Sequence, residues 1–164
     1  MTDKLADTVQ ALGEGLLRLG ASIVTAESCT GGGVAEVLTS VAGSSAWFDR
    51  GFIAYSNAAK QQMLGVPAEL IVEHGAVSEA VVLAMASGAL AASAAGLAIS
   101  VTGVAGPGGG SAHKPVGTVW LGWAWRGAQP HAQHHLYVGE RAAIRSQAVR
   151  DALGGALAVV NRLL

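Results

Sequence analysis

Leu5, Val9, Leu12, Leu16 and Leu19 recur every three or four positions and are followed by Gly20, which predicts a helix with one buried stripe and a glycine stop. The run ASIVTAES is short and β-branched, and beyond CTGGG a helical period returns at Val34, Val37 and Leu38. Strand, loop and helix are therefore expected in succession. After a turn over 43–45, Phe52 to Tyr55 predicts a second strand, and Asn57 opens a short helix that closes at Gly65-Val66-Pro67. Ser78 suits an N-cap with Glu79 in the first turn, where a carboxylate meets the positive helix end. That helix is expected to reach about Ala95, where Gly96 stops it. LAISVTG then reads as a buried strand, VAGPGGGSAHKP as a glycine-rich loop, and GTVWLGWAWR with HAQHHLYV as a hairpin about a turn over 127–130. Glu140 to Leu164 predicts a last helix with Ile144, Ala148, Leu153, Leu157 and Val160 inward, weakened locally at Gly154-Gly155.

Alternating strands and helices that end in a hairpin predict an α/β fold, a three-layer α/β/α sandwich on a mixed, mostly parallel sheet whose antiparallel part comes from the last strands. In such sheets ligands bind beyond the carboxyl ends of the strands. Two glycine-rich loops, 25–33 and 101–111, begin there.

The 164 residues are expected to form a single domain over 1–164. At 51% hydrophobic and 13% charged, the chain is too apolar for a disordered protein. A net charge of -1 leaves no broad basic field for nucleic acid. Residues 80–112 lack charge over a length that could span a bilayer, but Ser87, Gly88, Ser93 and Gly96 interrupt an alanine-rich stretch of weak insertion energy. A buried helix followed by a buried strand is expected instead, with no membrane partner. A lone Cys29 cannot form an internal disulfide, and the first fifteen residues carry charge without an apolar run, so the expected location is the cytoplasm.

Thr25-Ala26-Glu27-Ser28-Cys29-Thr30-Gly31-Gly32-Gly33 concentrates nucleophiles at a strand-to-helix junction. Ser28, Cys29 and Thr30 each carry an attacking atom, and amides at a helix start can hold an oxyanion or a phosphate. The same residues would also serve simply as a helix cap and a glycine turn. Neither the Gly-x-Ser-x-Gly elbow nor the Walker loop is present. Thr102, Gly103 and Gly106 begin the second loop, which lacks the helix that a dinucleotide fingerprint requires; it is an anion cradle or an ordinary loop. A hydrolase needs a proton acceptor. Lys60 is one candidate if burial keeps its amine neutral, and a surface lysine otherwise; any of five histidines could also approach in space. The cluster His131, His134 and His135 has no Cys or Asp beside it, so no metal site is assigned. Trp120, Trp123 and Trp125 could stack on a ring or serve core or subunit packing. Arg141 and Arg145, one turn apart, offer two planar forks for a phosphate or a solvated helix face.

Together, TAESCTGG, AGSSAWFDRGFIAYSNAAK, GVP, HGAVSE and VTGVAGPGGG followed by KPVGTVW resemble, in the same order, the CinA C-terminal domain family, over nearly the whole chain. The chain looks most like the family's stand-alone form. The resemblance implies a CinA-like fold and an amidohydrolase that needs no metal or other cofactor. Its substrate would be nicotinamide mononucleotide, converted with water to nicotinate mononucleotide and ammonia in pyridine nucleotide recycling. It also implies Ser28 and Lys60 as the catalytic serine and lysine, with Tyr55 assisting proton transfer. Glu27, Thr30, Gly31, Ser44, Thr102, Gly103 and Gly106 are the implied substrate contacts, to which Arg141 and Arg145 are added as inferred phosphate ligands. Gly33 stands where a bulkier residue is frequent. A homo-oligomer, in simplest form a dimer, is expected. Two other readings stay open: a nucleotide-binding module without turnover, tied to competence or the DNA-damage response, and hydrolysis of another amide.

Overall fold

The chain is described over residues 3–164 by a computed structural model. Along it run α1 (Asp3–Arg18), β1 (Ile23–Glu27), α2 (Gly33–Thr39), a single 3-10 turn (Ser44–Ala46), β2 (Phe48–Ile53), α3 (Asn57–Leu64) and α4 (Ala68–His74). They are followed by α5 (Glu79–Ala91), β3 (Leu97–Gly103), β4 (Thr118–Trp125), β5 (His131–Leu136) and α6 (Arg141–Leu163). The five strands form one mixed sheet in the order β2-β1-β3-β4-β5. β1 pairs in parallel with β2 and β3, whereas β4 and β5 are added antiparallel. The pairings thus divide evenly between the two types.

Side-chain alternation along the strands sorts the helices into two layers. Ile23, Leu97, Ile99, Val101, Leu121 and Trp123 point to one face and pack with α1, α2 and α6. Val24, Ala26, Ala98 and Ala124 point to the other and pack with α3, α4 and α5. The second face is built from small residues, so α5 lies close upon it: Ser100 Oγ donates to the Val82 carbonyl at 2.7 Å. A Cβ added at Gly122 would run into Ser100, and one at Gly88 into the Leu64 carbonyl of α3. Much of the small-residue composition therefore goes into close approach of backbones.

The pattern-based expectations and the elements differ in four places. The second strand runs Phe48–Ile53 rather than Phe52–Tyr55. It is an edge strand recruited by the open side of β1, from Ile23↔Phe48 to Glu27↔Ile53, and its Asp49 and Arg50 stay exposed, which hides the apolar signal. The helix α4 is too short to show a period. α5 ends at Ala91 rather than near Ala95, because the guanidinium of Arg126 donates to the carbonyls of Leu90, Ser93 and Ala95 at 2.7, 2.9 and 3.0 Å, satisfying backbone acceptors that a longer helix would have used. α6 passes unbroken through Gly154-Gly155. Residues 80–112 resolve into α5, a turn, β3 and the second glycine loop, and no helix among the described residues is long and apolar enough to cross a membrane.

The three tryptophans of β4 split by face. Trp123 is buried under α6, where its indole Nε1 donates to the Ala152 carbonyl at 2.9 Å, while Trp120 is half-buried against His134 on the opposite face. His131 stacks on Trp123 and His135 on Tyr137. Among the described residues, no three His, Cys, Asp or Glu side chains converge as metal ligands.

The two adjacent glycines of α6 predict opposite outcomes. A Cβ at Gly154 meets nothing within 4 Å, whereas one at Gly155 overlaps the Trp123 indole. Gly154→Ala should stabilise the protein by about 0.5–1 kcal/mol through helix propensity. Gly155→Ala should destabilise it by about 1–3 kcal/mol through overpacking. Urea denaturation of both variants reads the two signs.

Candidate active site

β1, β2 and β3 end at the same edge of the sheet, and the chain leaving each of them lines one cavity of about 310 Å³. Ser28 and Cys29 follow β1, Tyr55 and Asn57 follow β2, and Gly103 to Gly109 leave β3. Ala76 and Val77, just ahead of α5, supply another wall, and Arg141 at the start of α6 stands at the rim.

Lys60 lies on α3, a helix capped by Ser56 Oγ, which accepts from the Ala59 amide at 3.0 Å. The side chain is 1% exposed. Its Nζ lies 3.0 Å from Ser28 Oγ, 3.1 Å from the Ala54 carbonyl and 3.2 Å from the Tyr55 carbonyl. Burial pushes its pKa below the ordinary lysine value, and among the described residues no carboxylate lines the cavity to oppose that shift. A neutral amine has two N–H bonds and one lone pair. The two carbonyls can accept both N–H bonds, which leaves the lone pair to accept from the Ser28 hydroxyl. This is the geometry of a base poised over an alcohol.

The other two candidate nucleophiles are differently engaged. Thr30 Oγ1 donates to Glu27 Oε1 at 2.7 Å. Cys29 faces the cavity, but burial pushes its thiol up to about 11, so it holds its proton at neutral pH.

The turn carrying Ser28 is held from two sides. The buried Glu27 carboxylate accepts from Thr30 Oγ1 and from the Val34 and Ala35 amides at 2.8 and 3.0 Å, capping α2 across the turn. From α6, Arg145 donates to the Cys29 and Thr30 carbonyls at 3.1 and 3.0 Å. Gly31 and Gly32 supply the positive φ the turn requires, 58° and 100°. The opposite wall is tied by Thr102 Oγ1, which donates to the Ala76 carbonyl at 2.9 Å.

Of the residues singled out from sequence, Ser28, Lys60, Tyr55, Thr102, Gly103, Gly106 and Arg141 meet at the cavity. Glu27, Thr30, Gly31 and Arg145 do not line it; they shape the turn from behind. Ser44 is not brought there at all. It lies in the 3-10 turn ahead of β2, at the opposite end of the parallel strands, because the AGSS segment enters that strand rather than leaving it. The Tyr55 phenol is 58% exposed and accepts from Arg141 Nη2 at 3.0 Å, while its carbonyl is the group that reaches Lys60. Arg141 Nη1 also donates to the Gly106 carbonyl at 2.7 Å. Asn57, Ala76 and Val77 line the cavity and were not anticipated. Asn57 was legible as the first residue of the helix that carries Lys60, whereas the other two become visible only once the loop before α5 folds over.

The Lys60 shift predicts a pH signature in stability. Between its lowered pKa and the ordinary value of 10.5, the unfolded chain holds a proton at this residue that the folded chain has released. Stability from this group therefore rises with pH across that window, by at most about 1.4 kcal/mol per pH unit. In urea denaturation, the native protein should gain on Lys60→Met as the pH is raised from 7.5 to 10. A constant difference would mean that Lys60 keeps its proton throughout.

Comparison with known proteins places this arrangement among relatives. A family model described as the CinA C-terminal domain matches residues 5–160. The protein named nicotinamide-nucleotide amidohydrolase PncC from Escherichia coli K12 is 52% identical over 154 residues, covering 93% of each chain. One of the same name from Pseudomonas putida is 52% identical over 155 residues, covering 94% of this chain and 96% of its own. Among solved structures, competence/damage inducible protein CihA from Agrobacterium tumefaciens superposes with a TM-score of 0.94 at 44% identity, covering 98% of both chains.

Proposed function

This chain belongs to the CinA C-terminal domain family, and from that membership we propose that it is a nicotinamide-nucleotide amidohydrolase that uses Ser28 as nucleophile and Lys60 as base. The observation that carries the proposal is the 3.0 Å contact between Lys60 Nζ and Ser28 Oγ, inside a cavity whose described lining residues include no carboxylate. Binding without turnover has no use for a buried lysine aimed at a serine hydroxyl. The relatives named above supply the substrate class.

In the proposed reaction, the Lys60 lone pair takes the Ser28 proton as Oγ forms a bond to the carboxamide carbon of nicotinamide mononucleotide. Backbone amides of the turn after Ser28 receive the oxyanion. The tetrahedral adduct collapses, its C–N bond breaks, and the Lys60 ammonium returns the proton to the departing nitrogen, releasing ammonia. The Tyr55 phenol, on the cavity wall, is a second group able to assist that return. Water, deprotonated by Lys60, then attacks the Ser28 ester; Oγ leaves with the proton, and nicotinate mononucleotide is the product. Arg141 is the phosphate ligand in this scheme, since its guanidinium stands at the rim where a nucleotide's phosphate would emerge. Arg145 acts through the turn that it grips. On this proposal the protein would serve pyridine nucleotide recycling.

The proposal is tested by incubating the purified protein with nicotinamide mononucleotide and a chelator while following ammonia. Release should persist in the chelator. Ser28→Ala should reduce it to background and Lys60→Met by about 10²- to 10⁴-fold, while Cys29→Ala should retain most of it. Activity lost in Cys29→Ala but kept in Ser28→Ala would reverse the assignment of the nucleophile.

A further inference from the structure

Substrate and product of the proposed reaction differ in one respect that matters to Lys60: a neutral carboxamide becomes a carboxylate anion. We propose that the same cavity is a proton-coupled carboxylate site, in which the nicotinate-type product binds to the ammonium form of Lys60 and draws in one proton from solvent. The carboxamide, by contrast, binds and reacts with the neutral amine. This rests on the proposed function and adds the regulation of that site by its own product.

The geometry accommodates both protonation states without rearrangement. With two protons, Nζ donates to the Ala54 and Tyr55 carbonyls and accepts from Ser28. With three, its third N–H turns on Ser28 Oγ, because all three neighbours at 3.0, 3.1 and 3.2 Å are oxygens that accept. The Ser28 O–H is then released to donate to the ligand's carboxylate, and it also has the Tyr55 carbonyl 3.5 Å away as a resting acceptor. One proton therefore reverses a single hydrogen bond and converts Ser28 from a nucleophile into an anion-binding donor.

The charges around the amine make this switch sensitive to the ligand. From the turn after β1, Lys60 faces Ser28 and Cys29, whose thiol keeps its proton. The Glu27 carboxylate lies behind that turn, fully buried, taken up by Thr30 and the α2 amides. From β3 it faces the uncharged Thr102 and Gly103, and from the loop before α5 the uncharged Ala76 and Val77. Glu79, at the start of α5, is exposed and does not line the cavity. Arg141 of α6, at the rim, is the one other cation among the described lining residues, and Arg145 is committed to the Cys29 and Thr30 carbonyls. Among the described residues the lining thus supplies no anion to the amine, and the ligand's carboxylate brings one to it. An opposite charge brought beside a buried amine favours its protonated form.

The sign follows from linkage. Below the pKa of Lys60 in the free protein, the amine already carries its proton and product affinity is flat. Above it, each pH unit weakens the carboxylate by about tenfold, because a proton must be taken up with it. Product inhibition therefore grows as the pH falls toward that pKa and levels off below it, where turnover in its turn fails for lack of a neutral base.

The test is titration calorimetry on the full chain from pH 6.5 to 9.5, at each pH in two phosphate-free buffers of different ionisation enthalpy. Nicotinate mononucleotide is titrated into the native protein and nicotinamide mononucleotide into Ser28→Ala, which cannot turn it over. Both ligands carry the same phosphate, so its ionisation cancels in the comparison. The expected result is uptake of about one proton with the carboxylate, an affinity that weakens by about tenfold per pH unit above the Lys60 pKa, and neither effect with the carboxamide. In Lys60→Met the carboxylate should bind without proton uptake and with no slope. Uptake that persists in Lys60→Met, or a carboxylate that binds the native protein with no buffer dependence, overturns the proton coupling and leaves the amidohydrolase reading standing. Failure of both nucleotides to bind overturns both.

Discussion

An amine withdrawn from water, in a cavity whose described lining residues include no carboxylate, is the constraint around which this molecule is organised. Lys60 is 1% exposed, and the carbonyls of Ala54 and Tyr55 with the Ser28 hydroxyl are its hydrogen-bond partners. Each comes from a different structural decision. Ser28 is placed by the end of the central strand β1. The two carbonyls are available because the chain leaves the sheet right after Ile53, the last residue of β2. The stem of Lys60 is enclosed because α3 is pressed onto α5 where Gly88 admits the Leu64 carbonyl. A solvated lysine would need none of these, and no burial would draw its pKa below the ordinary value.

The architecture was legible wherever one physical signal dominated. The helical stripe of α1, the β-branched run of β1 and the mostly apolar run of β3 each carry a single clear signal. It was obscured where an element forms for a neighbour's sake. β2 exists because β1 has an unpaired side, and its own Asp49 and Arg50 look like loop residues. α5 stops short of its alanine run because Arg126, thirty-one positions beyond Ala95, takes up the carbonyls.

The chemistry divides similarly. Ser28 and Lys60 stand out through motifs that resemble a family, not through spacing, since nothing in a separation of thirty-two residues says that two groups touch. The backbone carbonyls that orient Lys60 could not be read from side chains at all. Glu27 and Arg145 were legible as charged residues beside the site, but their task is to shape the Ser28 turn from behind, as the direction of their hydrogen bonds shows. Ser44 belonged to the right segment and lies at the wrong end of its strand, an outcome that depends on knowing where β2 begins.

The grip of Arg145 on the Cys29 and Thr30 carbonyls spans more than a hundred positions of sequence. During synthesis, the serine and the lysine emerge from the ribosome early, the first just after β1 and the second on α3. The brace on the serine's turn arrives only with the last helix. A nascent chain thus holds Ser28 and Lys60 long before the residue that braces the serine's turn, and only the last helix brings the Arg145 guanidinium to the carbonyls of Cys29 and Thr30.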